Sequence, residues 1–484
     1  MKKLTVEGEN VLTDDGKTIR LKGVALGGHL NLEHFINGYS GSESMFRYAV
    51  ASAIGEDKAT FFFEKMIEYF MTEDDFRFLK SLGVNVIRLA INYRHFVNDK
   101  LLKTYRKMGF KFLDNVVELA KKNQIYVIID MHSAPGWQNP SWHSDNIYQA
   151  NMLWYSEKFQ DETIRVWKDI VKRYKDEAII AGYGLLNEPD APSSSTLVNF
   201  YKKLIKSIRQ YDTEHIIIPE ANRYGRDPST LETLDEDNLI VEVHYYPLPG
   251  FTDTPYPGEV EEIWGTKKEY YDKIKLEEEF LQRIKPILEW KRPIYVGEFG
   301  SIYWNTPNDI YRLRVNEDLL NIFEKYNAHW TIWTYKDIGI MGLMYLSPES
   351  EYMKRFSDLL KLKYKLGADE WGPSLASDFI KNMTKYFIEA LKIKLEENGY
   401  KYEDSIINFE GEILDENWHS SYSYEVRVRR TFHILVSRYL VKLFAERLRG
   451  LDYNRLDKIA ASFHFKNCLK RKALVEIIEK YCSL

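Results

Sequence analysis

The chain is poor in the residues from which disulfide frameworks and many cofactor sites are built. Only two of its 484 residues are cysteines, Cys468 and Cys482, which leaves neither a disulfide framework nor a cysteine-rich metal site. No glycine-rich dinucleotide fingerprint opens any strand-helix unit, which weakens a doubly wound nucleotide-binding fold. A formal net charge of −5 gives no electrostatic reason to expect nucleic acid or an anionic membrane as a partner.

Long apolar runs are also missing. The first residues include Lys2 and Lys3 but no apolar stretch of signal-peptide length, and no later stretch approaches membrane-spanning length. We therefore expect a cytoplasmic protein. Glutamine is scarce in a chain rich in Lys, Glu, Ile and Tyr, and this balance favours a thermophilic protein.

Short β-branched runs alternate with longer amphipathic stretches over most of the chain, which is typical of repeated strand-helix units. Eight strands are predicted, at residues 19–26, 85–91, 125–131, 181–186, 216–219, 239–243, 294–296 and 329–333. Helices are predicted between and after them, at residues 73–82, 111–122, 156–174, 196–211, 277–290, 310–326 and 349–366, with residues 228–234 as the weakest connection. Eight such units in residues 1–366 predict an α/β fold, a (β/α)8 TIM barrel.

Two stretches exceed a minimal barrel. Residues 28–72 are long and rich in aromatic side chains, and we expect them to cover the carboxyl-terminal mouth of the barrel. Residues 367–484 are expected to form an α-helical extension or small domain, with helices at 373–397, 425–449 and 453–481 and a less regular acidic segment at 403–416. Packing against the barrel is the simplest role for this region. A contact in a homo-oligomer and an added wall of the substrate cleft remain open.

Two glutamates stand where short apolar runs end. Glu188 lies in Leu186-Asn187-Glu188-Pro189, and Glu298 lies in Val296-Gly297-Glu298-Phe299-Gly300. Parallel strands of a barrel end at the same rim, so both carboxylates are expected to meet one substrate. A retaining glycosidase needs such a pair, with one carboxyl group that protonates the leaving oxygen and one that attacks the anomeric carbon. The small neighbours of Glu298 would allow close approach of the substrate.

In combination, Asn187-Glu188-Pro189 and Gly297-Glu298-Phe299-Gly300 make the chain resemble glycoside hydrolase family 5, the cellulase family of the retaining clan A glycosidases. The resemblance covers about residues 15 to 345 and implies that Glu188 is the acid/base and Glu298 the nucleophile. It also implies substrate-site roles for residues on other strands, namely Arg88, His132, Asn187, His244, Tyr246 and Trp333. Arg88 would keep Glu298 ionised, whereas the charge of Glu298 would keep Glu188 protonated.

Two further segments resemble the exo-glucanase-like branch of this family. They begin at Gly23 and at Ala134, and in that branch the residues at the positions of Glu33 and Asn139 bind the terminal sugar. The chain departs from the branch at His29, where a tryptophan is usual, and at Trp137, where a small residue is usual. Aromatic rings suit the apolar faces of sugars, and among the aromatic residues after the third and seventh strands we favour Trp304 as a stacking residue.

These features predict a retaining β-glycoside hydrolase that acts on β-linked gluco- or manno-configured saccharides. Exo action, as in a β-mannosidase, β-glucosidase or exo-glucanase, is favoured over an endo-acting glucanase or mannanase. The expected partner is an oligosaccharide or glycoside, without a cofactor, nucleic acid or membrane. A metal-dependent amidohydrolase-like barrel and a non-catalytic carbohydrate-binding barrel are the alternatives from other classes.

Overall fold

The computed structural model describes residues 1–97, 106–229, 231–261, 268–304, 309–369, 372–401 and 424–484. Within these ranges, no helix combines the length and the apolar character needed to cross a bilayer.

The strands, in chain order, are β1 Leu4–Glu7, β2 Asn10–Thr13, β3 Lys22–Leu30, β4 Val86–Asn92, β5 Tyr126–Ser133, β6 Ile180–Gly184, β7 Ile216–Ile218, β8 Val241–Tyr245, β9 Gly258–Glu261, β10 Lys268–Tyr271, β11 Ile294–Phe299, β12 His329–Ile332, β13 Lys336–Asp337, β14 Met344–Leu346 and β15 Cys468–Lys470. The helices are α1 Glu43–Ile54, α2 Glu56–Phe70, α3 Glu73–Ser81, α4 Arg106–Asn123, α5 Glu157–Tyr174, α6 Ser194–Arg209, the short α7 Asn222–Gly225 and α8 Pro249–Thr252, α9 Lys273–Trp290, α10 Asp309–Lys325, α11 Glu351–Leu366, α12 Asp378–Glu397, α13 Tyr424–Glu446, α14 Tyr453–Ala460 and α15 Lys472–Cys482.

Eight parallel strands form the central sheet, in the order β7-β6-β5-β4-β3-β12-β11-β8. Two isolated parallel bridges, Ile217 to Leu239 and Glu220 to Glu242, join the two ends of this order. The predicted (β/α)8 barrel with its eight strands is therefore confirmed. Its strands are buried almost throughout, as expected when helices cover a parallel sheet.

The amino-terminal end of the barrel is covered by the hairpin of β1 and β2. Leu4 and Val11 of this hairpin pack with Val86, Ile128 and Tyr295 in a separate apolar cluster inside the barrel. The backbone carbonyl of Lys2 accepts a hydrogen bond of 2.7 Å from Tyr126. Apolar side chains thus fill this end, and a pocket lies at the opposite, carboxyl-terminal end.

The segment from residue 28 to residue 72 lies at that opposite end, and it is mostly helical, with α1 and α2 in its second half. Its first half is buried and places Glu33 and Phe35 in the wall of a pocket. The buried Asn37 side chain closes its turn, since it accepts from the backbone of Glu33 and donates to the carbonyl of Gly28. The expected position over the barrel mouth agrees with this arrangement.

The weakest predicted connection, residues 228–234, contains a 3₁₀ turn at Leu231–Thr233 in its described part. One predicted helix is wrong. Residues 453–481 are not one helix, because β15 separates α14 from α15 and pairs antiparallel with β14. The backbone of β15 is hydrogen-bonded to β14, which lies far away in the sequence. A helical pattern in the local sequence does not reveal such a partner. The predicted acidic segment at 403–416 lies outside the described residues.

The carboxyl-terminal helices contact the barrel at several places. The buried ammonium group of Lys336 donates to the carbonyl of Phe463 at 2.9 Å and pairs with Asp75 at 2.7 Å. Helix α13 reaches the loop after β5, where Arg430 donates to Oγ of Ser141 at 2.8 Å. This helix therefore braces a loop that belongs to the site.

Candidate active site

The two predicted carboxylates lie together at the carboxyl end of the barrel. Glu188 follows β6, Glu298 lies in β11, and both are nearly buried, with exposed fractions of 7% and 4%. One oxygen of each and a nitrogen of His244 all lie within 4.8 Å of one another. Glu188 has a φ of 45°, a backbone conformation that costs a residue other than glycine on the order of 1 kcal/mol. Such strain is characteristic of functional sites.

A pocket of about 360 Å³, including the space at its mouth, opens above this pair. Side chains on or after six of the eight barrel strands line it, namely Glu33, Phe35, His132, His143, Asn187, Glu188, Tyr246, Glu298, Ile302, Trp333 and Met341.

Arg88, fully buried on β4, lies beneath the two acids. It donates to Oε1 of Glu298 at 2.9 Å and to Oδ1 of Asn187 at 2.7 Å, and its Nε lies 2.8 Å from Glu242. Burial alone would lower the pKa of Arg88, but the carboxylates of Asp130, Glu242 and Glu298 raise it well above its usual value. The guanidinium is therefore a permanent positive charge against the nucleophile candidate.

His132 connects the floor of the pocket with the segment after β3. Its Nδ1 lies 2.9 Å from Asp130, its Nε2 lies 3.1 Å from Glu33, and its ring stacks on Trp333 at 5.1 Å between centroids. Burial lowers the pKa of His132, but the bonds to Asp130 and Glu33 outweigh it and raise the pKa to about 9. An imidazolium thus fixes the carboxylate of Glu33 at the pocket wall.

On the other side, β8 supplies His244 and the following loop supplies Tyr246. Nδ1 of His244 lies 2.9 Å from Oε1 of Glu188, and the Tyr246 hydroxyl donates to Oε2 of Glu298 at 2.8 Å. Although burial lowers the pKa of His244, Glu220, Glu298 and Glu188 raise it well above the usual value. Each carboxylate therefore has its own donor.

With the neighbouring imidazoles as donors, the pKa values of the two acids shift in directions opposite to the expected protonation. Burial raises the pKa of Glu188, but hydrogen bonds from His143 and His244 lower it below its ordinary value. Burial and the charge of Glu188 raise the pKa of Glu298, although His244 and Arg88 oppose this. The pKa of Glu188 is lowered in this way while both imidazoles donate hydrogen bonds to its carboxylate.

Four of the predicted site residues lie away from the pocket wall. Arg88 and His244 lie beneath the carboxylates, and Asn139 is fully buried behind Glu188, with its amide bonded to protein atoms. Trp304 packs against the apolar core and does not belong to the lining among the described residues. A role for Trp304 in stacking on a sugar stays a prediction.

His143 is the site residue that the sequence analysis missed. It lies in the 3₁₀ turn Trp142–Ser144, and its Nε2 is 3.1 Å from Oε2 of Glu188. A search for every titratable residue in the loops after the barrel strands would have included it, but no motif distinguished it. Phe35, Ile302 and Met341 complete the apolar part of the wall and carry no such signal at all.

The glycine before Glu298 serves packing within the barrel. A Cβ at Gly297 would lie 1.7 Å from Oε1 of Glu242, so only glycine leaves room for the carboxylate that pairs with Arg88. From the sequence, this small residue was expected to allow close approach of the substrate. The structure shows instead that it makes room for a buried side chain.

Two overlapping groups have ligand types that bind metals. These are Glu188, His244 and Glu298, and Glu220, Glu242 and His244. Arg88 lies among the same carboxylates, within 2.9 Å of Glu298 and 2.8 Å of Glu242. Its guanidinium already neutralises the carboxylates that a metal ion would need, so the arrangement does not fit a resident metal.

Comparisons with known proteins find similar chains. The family model for cellulase, glycosyl hydrolase family 5, matches residues 54–339. A β-xylosidase from Phanerodontia chrysosporium is 34% identical and aligns over 99% of this chain and 98% of its own length. Endoglucanase C from Acetivibrio thermocellus is 25% identical over 57% of this chain and 87% of its own. In a structural comparison, endoglucanase Cel5A from the hyperthermophilic Thermotoga maritima is similar with a TM-score of 0.43 and 24% identity, over 56% of this chain and 84% of its own.

The matching family model spans more than half of the chain, and the β-xylosidase aligns with nearly all of it. The chain therefore belongs to glycosyl hydrolase family 5 and is a glycosidase that hydrolyses glycosidic bonds.

Proposed function

We propose that the protein is a retaining, exo-acting β-glycosidase. The observation that carries the retaining mechanism is the separation of the carboxylate oxygens of Glu188 and Glu298, which is within 4.8 Å. Retaining glycosidases have carboxyl groups about 5 Å apart, whereas inverting enzymes need about 6.5 Å or more to admit a water molecule.

In this mechanism Glu298 attacks the anomeric carbon while Glu188 gives its proton to the departing oxygen. Arg88 and Tyr246, each bonded to one oxygen of Glu298, hold the nucleophile in place. Glu188 then takes a proton from a water molecule as its oxygen attacks the anomeric carbon, and the bond between this carbon and Glu298 breaks to regenerate the carboxylate. The sugar leaves with its original anomeric configuration. NMR of the first product tests this, since an inverted anomer would contradict the mechanism.

The proposal of exo action is supported by the segment after β3. Glu33 and Phe35 of this segment close one side of the pocket, and Glu33 is held by His132 at 3.1 Å. A long chain that continued past the cleaved sugar would need that side open. Carboxylates are strong acceptors for sugar hydroxyl groups, so Glu33 is suited to bind the terminal residue.

Gluco- and manno-configured β-linked sugars are the proposed substrates, and the name of the 34% identical relative adds β-xylosides to the set for testing. The decisive experiment compares nitrophenyl β-glucoside, β-mannoside and β-xyloside with cello- and manno-oligosaccharides. We expect single sugars to be released from the non-reducing end. Early products of mixed length would instead favour an endo-acting glucanase or mannanase.

Glu33→Ala provides a more local test of the pocket. Loss of a charged hydrogen-bond partner of the sugar should reduce kcat/KM for aryl monoglycosides by about 10- to 100-fold. Asp57→Asn is the matched control, because Asp57 belongs to the same insertion but is exposed on α2. Equal rates for wild type, Glu33→Ala and Asp57→Asn would contradict a sugar-binding role for Glu33.

A further inference from the structure

Two hydrogen-bond partners compete for one nitrogen beside the acid/base candidate. Nε2 of His143 lies 2.9 Å from Nδ2 of Asn139 and 3.1 Å from Oε2 of Glu188. A ring nitrogen carries either a proton or a lone pair. It therefore cannot accept a hydrogen bond from the Asn139 amide and donate one to a Glu188 carboxylate at the same time.

The orientation of the Asn139 amide is determined by its other two bonds. Oδ1 of Asn139 accepts from the backbone N–H of Ser141 at 3.0 Å, and Nδ2 donates to the backbone carbonyl of Glu188 at 2.9 Å. A flipped amide would place oxygen against that carbonyl and nitrogen against that N–H. The side facing His143 is therefore the NH₂ group, which favours a lone pair on Nε2.

With a lone pair on Nε2, His143 supplies no hydrogen for a bond to Glu188. Oε1 of Glu188 lies 2.9 Å from Nδ1 of His244, whose other nitrogen faces Glu220 at 3.4 Å and Glu242 at 3.5 Å. Carboxylates thus lie beside both nitrogens of His244, which favours the imidazolium and makes Nδ1 the donor to Oε1 of Glu188. The remaining oxygen, Oε2, faces the lone pair of His143, and only a protonated carboxyl group gives that contact a hydrogen.

We propose that Asn139 is a positioning residue that keeps the acid proton on Glu188 by holding Nε2 of His143 as an acceptor. The inference rests on the proposed role of Glu188 as acid/base. In the first step the proton moves from Oε2 to the leaving oxygen, and in the second step the attacking water returns a proton to Oε2. His143 and Asn139 keep their own protons throughout.

Other titratable groups surround this set and remain in place in the test below. The ring of His143 faces His132 at 5.9 Å and Tyr224 at 6.4 Å between centroids. His143 also interacts electrostatically with His34. Besides the two histidines, Glu188 interacts electrostatically with Glu220, Tyr246 and Glu298.

Asn139→Ala tests the proposal through the pH dependence of kcat/KM. Without the amide, Nε2 of His143 can carry a proton and donate to the Glu188 carboxylate, so Glu188 should lose its proton at lower pH. For a substrate with a poor leaving group, we expect the basic limb to move down by about one pH unit, which is about tenfold in rate above the limb. A 2,4-dinitrophenyl glycoside, which needs little acid assistance, should lose less than about threefold.

Asn151→Ala is the matched control. The Asn151 amide also binds a backbone carbonyl close to Glu188, that of Asp190 at 2.8 Å, and its described bond is not to an imidazole. It should leave the basic limb unchanged. A purely structural role for Asn139 would lower the rates for both leaving groups equally without moving the limb, and an upward shift would mean that His143 is the acceptor only in the variant. Either result overturns the proposal.

A spectroscopic measurement observes the proton directly. In protein labelled with ¹⁵N-histidine, the His143 resonance is assigned by its loss in His143→Gln. We expect an unprotonated Nε2 in the wild type at the pH of maximal activity and a protonated Nε2 in Asn139→Ala. A protonated Nε2 in the wild type would overturn the proposal. A different result would contradict the proposed function itself, namely equal losses of rate in Glu188→Ala for good and poor leaving groups. The NMR result concerns only His143 and Asn139, so the two failures can be told apart.

Discussion

Glu298→Ala should lower kcat/KM by a factor on the order of 10⁴ or more for every substrate that the wild type cleaves. Arg88 and Tyr246 hold the Glu298 carboxylate by one bond to each of its oxygens, and the variant removes this nucleophile from the pocket. Because the covalent step is lost, leaving-group quality should not restore the rate. Azide or formate should not restore it fully.

The control for this variant is Glu289→Ala, which removes an exposed glutamate from the end of α9, just before β11. It should retain wild-type kinetics. A 2-deoxy-2-fluoro glycoside should leave a covalent adduct on the wild type, and mass spectrometry of peptides should locate it at Glu298. An adduct on another residue, or wild-type turnover by Glu298→Ala, would show that the nucleophile is misassigned.

Glu188→Ala should separate substrates by their leaving groups. General acid catalysis contributes about 10²- to 10⁴-fold, so a poor leaving group should lose about that factor. A 2,4-dinitrophenyl glycoside needs no proton to depart, and its glycosyl-enzyme should form at nearly the normal rate. Added azide should then accelerate turnover and give a glycosyl azide of retained configuration, because it replaces the water that Glu188 would activate.

Asp190→Asn is the matched control for Glu188→Ala. Asp190 lies two residues along the same loop and is also buried, and burial raises its pKa to about 6 although Arg430, Arg223 and Arg226 oppose this. Its substitution should not create a dependence on the leaving group. If Glu188→Ala loses all substrates to the same extent, or none, then Glu188 is not the acid/base.

The strands and the acid pair show how far the sequence analysis reached. A parallel barrel strand is a short apolar run with a defined end, and the rim position of a residue follows from that end. Glu188 and Glu298 were therefore predicted to lie together, and their oxygens do lie within 4.8 Å. The helix predicted at 453–481 was wrong, because the pairing of β15 with β14 depends on residues more than a hundred positions apart.

Within the site, contacts between side chains of different loops and strands were the hardest to predict from the sequence. His143 was missed, and so were the bonds that join the Asn139 side chain to Ser141, His143 and Glu188, while a sugar-binding role for Asn139 stays a prediction. Gly297 was assigned to the substrate, whereas it leaves space for Glu242. Each of these contacts joins side chains from different loops or strands, and local pattern does not specify which of them meet.

The sequence by itself determined the barrel, the two strand-end glutamates and the resemblance to a glycosidase family, because apolar periodicity and short motifs are local properties of the chain. The tertiary structure decided which groups surround those glutamates. It placed the guanidinium of Arg88 under Glu298, and it placed His143 between Asn139 and Glu188. Protonation depends on distances of about 3 Å between residues remote in the chain, and only folding sets those distances.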